Sequence, residues 1–254
     1  MWYHFSLSLF KVEHGFKGTM TEFITIDPQF NGPPDSGHGG YVAGVIADLF
    51  DGTVEVTLRN PPPLADSMSV DQIGDRAAIW FGETLVAEAK PSVINLEVPP
   101  CPDATSVEGA VERSNEFKKD DFHKCFACGS GRDEGEGLQL LTGPIAGSDV
   151  VATQWKPHKS FTGLDGLIPR RILWSALDCP GGWSIVRDSG VIMLLGRFTA
   201  EVDGDLKAGT PCTIIGWPMG REGRKAFAGT AIYDDHGKVR GRAKAVWIDI
   251  GKQI

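Results

Sequence analysis

Residues 30–51 read FNGPPDSGHGGYVAGVIADLFD, and this stretch decides the fold. Its first half is a loop: two glycines, two prolines and Asp35 leave no room for a regular element before His38. Its second half has helical spacing. Val42, Val45, Ile46 and Leu49 fall at i, i+3, i+4 and i+7, one apolar face of a helix predicted over Tyr41–Asp51. Gly40, Gly44 and Ala47 form a ridge of small residues beside that face, where another backbone can come close.

Working outward, a short strand is predicted at Glu22–Ile26, before the loop. After the helix come runs with strand patterning: VEVTLRN (54–60), SMSVDQI (67–73), AAIWFG (77–82), TLVAEAK (84–90) and SVINLEV (92–98), with a hairpin signal at FGET. One helix followed by an antiparallel meander makes an α+β unit. The stretch 99–135 mixes charge, Pro and Gly and reads as a linker, with a short surface helix in Ala104–Phe117. The order then repeats. Strands at Gly137–Leu141 and Val150–Trp155 precede a Gly-rich loop, FTGLDGLIP, and a helix over Arg170–Asp178 that should stop at CPGG. Further strands follow at 191–202, 212–217, 225–233 and 239–250. The closing hairpins echo one another, GETLVAEAKPSVINL in the first half and GKVRGRAKAVWIDI in the second. Self-similarity at half the chain length points to two copies of one unit. The predicted organisation is an N-terminal extension (1–19), a first unit (20–98), the linker (99–135) and a second unit (136–254). Met20 resembles a second natural start, so residues 1–19 are either a mis-assigned start or an edge strand.

Composition bounds the function. The 254 residues carry a formal charge of −8, from 25 Lys plus Arg and 33 Asp plus Glu. An acidic balance argues against nucleic-acid binding, which needs a basic surface to displace counterions. No apolar run reaches the ~20 residues that cross a bilayer, and no positive n-region precedes the aromatic start, so a signal peptide is not expected. Five cysteines, Cys101, Cys125, Cys128, Cys179 and Cys212, do not suggest a disulfide framework. A cytoplasmic protein that binds neither membrane nor nucleic acid is expected. There is no GxGxxG, P-loop or GxSxG, so nucleotide-binding and α/β-hydrolase readings lack support. HKCFAC, with His123, Cys125 and Cys128, is half a zinc site. No second pair accompanies it, so it reads as a tight turn and no metal is expected.

Asn31, His38-Gly39-Gly40 and Asp48 are similar to the Asn…His-Gly-Gly…Asp signature of small hotdog acyl-CoA thioesterases. The runs FNGPPDSGHGGYVAG, VTLRNPPPL and WSALDCPGGW resemble a thioesterase-like family of double hotdog proteins common in actinobacteria. The resemblance covers the chain from Met20 onward. It implies a tandem double hotdog, each unit a central helix wrapped by an antiparallel β-sheet. It implies a hydrolase that cleaves an acyl-CoA or acyl-carrier thioester to free acid and thiol, without a cofactor. The two helices would lie side by side with an acyl tunnel at their seam, and the molecule could assemble as a homodimer or higher oligomer.

Thioester hydrolysis needs a donor for the developing oxyanion and a base for water. The Gly40 amide, at a helix N-terminus, is the expected oxyanion donor, with Gly39 allowing close approach. Asn31 is placed to hold a water, and His38 to orient the loop or act as a base. Asp48 lies eight residues after Gly40 where the signature has seven, and one residue turns a helix by ~100°. Asp178 is the stronger carboxylate. The resemblance places the working acid on the second helix, and Trp174 four residues earlier shares its face. Tyr41 and Trp174 join Gly39 as expected substrate contacts. Arg170 and Arg171, with Arg197, Arg221 and Arg224, are candidates for coenzyme A phosphates. Two other readings remain open: an acyl-CoA-binding hotdog without turnover, and, ranked last, a hotdog hydratase or dehydratase, which would want an Asp and a His at one helix start, whereas Asp35 and His38 lie three apart within a Gly/Pro loop.

Overall fold

The computed structural model describes residues 13–14, 20–114, 122–186 and 191–251. Most of the expected N-terminal extension, residues 1–12 and 15–19, lies outside the described residues. Its Glu13–His14 forms β1, paired antiparallel with β2 (Met20–Thr25).

The fold is mixed helix and strand, built on one antiparallel sheet of twelve strands. In the first half α1 (Gly39–Ala47) is followed by β3 (Val54–Leu58), β4 (Ser67–Ile73), β5 (Arg76–Phe81) and β6 (Thr84–Pro91). After α2 (Ala104–Arg113), β7 (Gly143–Pro144) and β8 (Val151–Trp155) precede α3 (Arg170–Val186). Then come β9 (Ile192–Val202), β10 (Cys212–Glu222), β11 (Lys225–Tyr233) and β12 (Val239–Gly251). The sheet order is β1-β2-β4-β5-β6-β3-β9-β12-β11-β10-β8-β7. Outward from the centre the two halves match: β3-β6-β5-β4-β2 on one side and β9-β12-β11-β10-β8 on the other. They join where β3 pairs with β9, Val54 opposite Ala200 and Val56 opposite Phe198, all four buried.

Both helices lie against this sheet and against each other, and glycine makes the contact possible. A Cβ on Gly44 would sit 2.6 Å from the Arg171 Cα, and one on Gly40 2.6 Å from the Asp178 Cβ. The i, i+4 spacing of these glycines gives α1 a flat stripe, and Arg171, Trp174 and Asp178 of α3 lie on it. Ile46, Ala47, Leu173 and Leu177 complete a continuous core with the inner sheet face.

Four expected elements differ. Helix α1 begins at Gly39, not Tyr41, because His38 caps it: the ring Nδ1 accepts from the Tyr41 amide at 3.2 Å. It ends at Ala47, with Asp48 as C-cap. Helix α3 does not stop at CPGG but runs to Val186 with Pro180 inside. Pro180 forfeits one helical hydrogen bond, while the glycines after it let the helix lie close against Thr230, Ala228 and Trp247. Gly216 likewise leaves room for the Pro180 carbonyl on β10. SVINLEV (92–98) forms no strand: β6 ends at Pro91, and beyond it the Ser92 amide bonds the Thr53 carbonyl and the Leu96 carbonyl accepts from Arg242. Leu138 and Leu140 form no strand; their amides bond the Phe126 and Ala127 carbonyls instead. The stretch expected as a linker thus places Phe126 in the core, edge-on to Phe30, Tyr41 and Phe161. Val107 and Ala110 of α2 are buried too. No helix among the described residues is long and apolar enough to cross a membrane.

Candidate active site

The start of α1 and the middle of α3 meet at Asp178. Its side chain is buried, and Oδ2 accepts a 2.6 Å hydrogen bond from the Gly40 amide. His38 Nε2 stands 3.3 Å from the same oxygen. Asp178 Oδ1 is buried without a hydrogen-bond partner among the described residues. Burial pushes the Asp178 carboxyl up to about 6, against the opposing pull of His38 and the Gly40 amide. Burial is the largest influence and works against charge on His38, but Asp178 and Cys125 together outweigh it and raise the imidazole. With Nδ1 accepting from the Tyr41 amide, neutral His38 carries its proton on Nε2, facing Asp178.

The helix start offers one further donor. The Gly40 and Tyr41 amides are taken by Asp178 and by His38, and the Val42 amide bonds the His38 carbonyl at 2.9 Å. The Gly39 amide has no partner among the described residues, and Gly39 lines a cavity of about 580 Å³. Asp178 and His38 line it as well. Its walls are otherwise largely apolar: Leu58, Pro61, Pro62 and Phe122 on one side, Ile192–Leu195 of β9, Trp247 and Ile248 on the other. Cys125, Cys128 and Cys179 reach it too. A buried carboxylate with one oxygen anchored and the other bare can take a proton from a water, and a free helix-N-terminal amide can receive a developing oxyanion.

Other expected site residues lie elsewhere. The Gly40 amide is not free for an oxyanion, because Asp178 occupies it; Gly40 is glycine because a Cβ would meet the Asp178 Cβ and the Trp174 carbonyl. Asp48 is eight residues from Gly40, about 12 Å along the helix. Its side chain is 34% exposed and pairs with Arg171 at 3.2 Å. Asn31 is buried behind the loop: Nδ2 donates to the Gly32 and Pro33 carbonyls, and Oδ1 accepts from Arg132. Tyr41 stacks on Phe30 at 3.8 Å, and burial pushes its hydroxyl up to about 12. Trp174 is buried edge-on to Phe198 at 5.5 Å. Neither aromatic lines the cavity.

The arginines are similarly engaged. Arg170 donates to the Ala47, Phe50 and Gly52 carbonyls, satisfying the C-terminal end of α1 and the turn after it. Arg171 holds Asp48, Arg197 bonds Thr57, and Arg221 and Arg224 bond Asp249. None of these lines the cavity. What sequence reading missed is the Gly39 amide and the cysteines around Asp178; the glycine pair and the CxxC were signals, but nothing local linked either to α3.

Strand order, helix placement and the site at the helix start together define a hotdog-fold protein. No family model matches the chain, and no curated protein matches its sequence. Solved structures do match. The tesB protein of Mycobacterium avium subsp. paratuberculosis is 13% identical with a TM-score of 0.60, covering 94% of this chain and 96% of that one. The acyl-CoA thioesterase II TesB2 of Mycobacterium marinum is 10% identical with a TM-score of 0.57, covering 91% and 93%. A hotdog-fold protein of unknown function from Alicyclobacillus acidocaldarius is 9% identical with a TM-score of 0.55, covering 92% and 94%. At these identities the shared property is the fold, over nearly the whole of each chain.

Proposed function

We propose that this protein is an acyl-CoA thioesterase-like hydrolase, cleaving an acyl thioester to free acid and thiol. The observation that carries the reading is Asp178: a buried carboxylate at the wall of an apolar cavity, with Oδ2 fixed by Gly40 and Oδ1 bare. In this reading the Asp178 carboxylate takes a proton from water, and the water oxygen attacks the thioester carbonyl. The Gly39 amide receives the oxyanion. Collapse breaks the C–S bond, and the proton held by Asp178 passes to the departing sulfur. His38, capping α1, keeps Asp178 in register. The apolar walls hold the acyl chain; a volume of about 580 Å³ is within the range of small-molecule sites, ~300–1,000 Å³.

The reading extends to organisation. Residues 20–98 and 136–254 are two hotdog units fused in tandem, α1 and α3 being their central helices, with 99–135 between them. The matching strand orders support this. Full-length structural likeness to a protein named acyl-CoA thioesterase II supports the substrate class.

The test is thiol release from a panel of acyl-CoAs of increasing chain length. Turnover on at least one, with acid and thiol formed in equal amounts, is the expected result. Tight binding across the panel without release would instead make this an acyl-CoA-binding module.

A further inference from the structure

We propose that Cys125, Cys128, Cys179 and His38 form a four-ligand site for a soft divalent cation, Zn2+, at the floor of the cavity. Three chain segments converge there: the cap of α1 at His38, the CxxC turn, and α3 at Cys179. Cys125 Sγ lies 3.9 Å from Cys179 Sγ across 54 residues of sequence. His38 Nε2 lies 3.3 Å from Cys179 Sγ across 141. The ligand atoms of His38, Cys125 and Cys179 all lie within 4.8 Å of one another. Cys128, three residues after Cys125 on the same turn, lines the same cavity but falls outside that 4.8 Å set, so it would turn in to complete the tetrahedron. Around tetrahedral zinc, with Zn–S about 2.3 Å and Zn–N about 2.0–2.1 Å, neighbouring ligand atoms sit about 3.5–3.8 Å apart. The two measured separations bracket that edge.

The surroundings suit thiolates. Three thiolates and a neutral imidazole around a divalent cation leave one net negative charge. The positive end of α1 begins at His38, and Arg132 stands near Cys125. All three cysteines line the cavity, which gives the ion an entry path. Coordination through Nε2 moves the imidazole proton to Nδ1, so both the 3.2 Å capping bond from the Tyr41 amide and the 3.3 Å contact of the Nε2 proton with Asp178 are given up. Two contacts longer than 3 Å are a small loss against four metal–ligand bonds. The thiols release their protons to solvent as the ion binds. The ion would staple the CxxC turn to both helices. The site shares His38 with the proposed reaction, but metal content is read without turnover, so its failure and the failure of that reading are distinguishable.

The test is metal content. Full-length protein from zinc-supplemented cells, purified reduced and without chelator, should carry about one zinc per chain by elemental analysis and native mass spectrometry. Replacing the zinc with Co2+ should give the intense visible band and sulfur-to-metal charge transfer of a tetrahedral thiolate site. Cys128→Ser and Cys179→Ser should each lose most of the metal, while Cys101→Ser and Cys212→Ser keep it. Should the ligand variants fail to fold, the wild-type cobalt spectrum decides alone. Reduced, folded wild type with no zinc and no cobalt–thiolate band on titration overturns the proposal. So does stoichiometric zinc that persists in well-folded Cys128→Ser and Cys179→Ser proteins.

Discussion

Asp178 concentrates the chemistry because its two oxygens are treated differently. Oδ2 takes a backbone amide and faces an imidazole, while Oδ1 is buried with no partner among the described residues. Asp178→Asn keeps the size and can still accept from Gly40 through its carbonyl, but cannot take a proton. Thiol release should fall by ~10²–10⁴-fold while calorimetric binding of a poorly hydrolysed acyl-CoA analogue stays within a few-fold. Asp48→Asn should leave turnover near wild type, since Asp48 pairs with Arg171 at the far end of α1. If Asp48→Asn is the inactive variant and Asp178→Asn is nearly normal, the assignment of the base is wrong. Asp178 could be picked out from the sequence as a carboxylate on the second helix. The cause of its burial could not: the expected neighbour Trp174 packs on Phe198, and what covers Asp178 is the start of α1, 138 residues away.

At the scale of elements, the α1–α3 contact sets the geometry of the site, and Gly44 is where it is tightest away from the chemistry. A methyl there would lie 2.6 Å from the Arg171 Cα, which is backbone and cannot swing aside. Gly44→Ala should therefore destabilise by about 1–3 kcal/mol through overpacking, despite the better helix propensity of alanine. Denaturant midpoints measure this; an unchanged or raised midpoint would show that the helices can separate cheaply. A second prediction concerns the turn between β11 and β12. Burial alone would raise the Asp234 carboxyl. The Lys238 amide at 2.9 Å, the Arg240 guanidinium at 2.7 Å and the His236 amide at 3.0 Å more than offset it and hold it below the usual range. A depressed carboxyl contributes stability above its unfolded value of ~3.9, and that contribution is lost as pH falls through the folded value. Asp234→Asn should thus melt below wild type at pH 7, with the gap closing below about pH 4. A gap independent of pH would mean the turn is held by shape and not by charge.

For the whole molecule, the decisive feature is the β3–β9 seam. It turns two half-sheets into one sheet of twelve strands, and α1 and α3 close over it. Both central strands carry buried residues at the pairing, and α1 has its glycine stripe covered by α3. Neither half can keep its native surface without the other, so unfolding should be one cooperative transition. Calorimetry that resolved two separate endotherms would show the halves to be independent domains. The site has the same dependence: Gly39, Gly40 and His38 come from one half, Asp178 from the other.

The sequence by itself determined the local features of this protein. It specified a helix following the His38-Gly39-Gly40 run, a second beginning at Arg170, most of the strands, and a stripe of small residues for a close neighbour. These follow from spacing and turn chemistry within a few residues. The tertiary structure alone decided which groups meet. It gave the Gly40 amide to Asp178 and left the Gly39 amide bare; it gave Arg170 to the end of α1; it brought Cys179 and His38 to a CxxC that looked unaccompanied. Pro180-Gly181-Gly182 reads locally as a stop, yet α3 continues because those glycines let it lie against β10–β12. The reason is common to all of these. A helix cap or a strand alternation is a bargain struck between neighbours in the chain, whereas a hydrogen bond across 138 residues exists only once packing has brought two surfaces together.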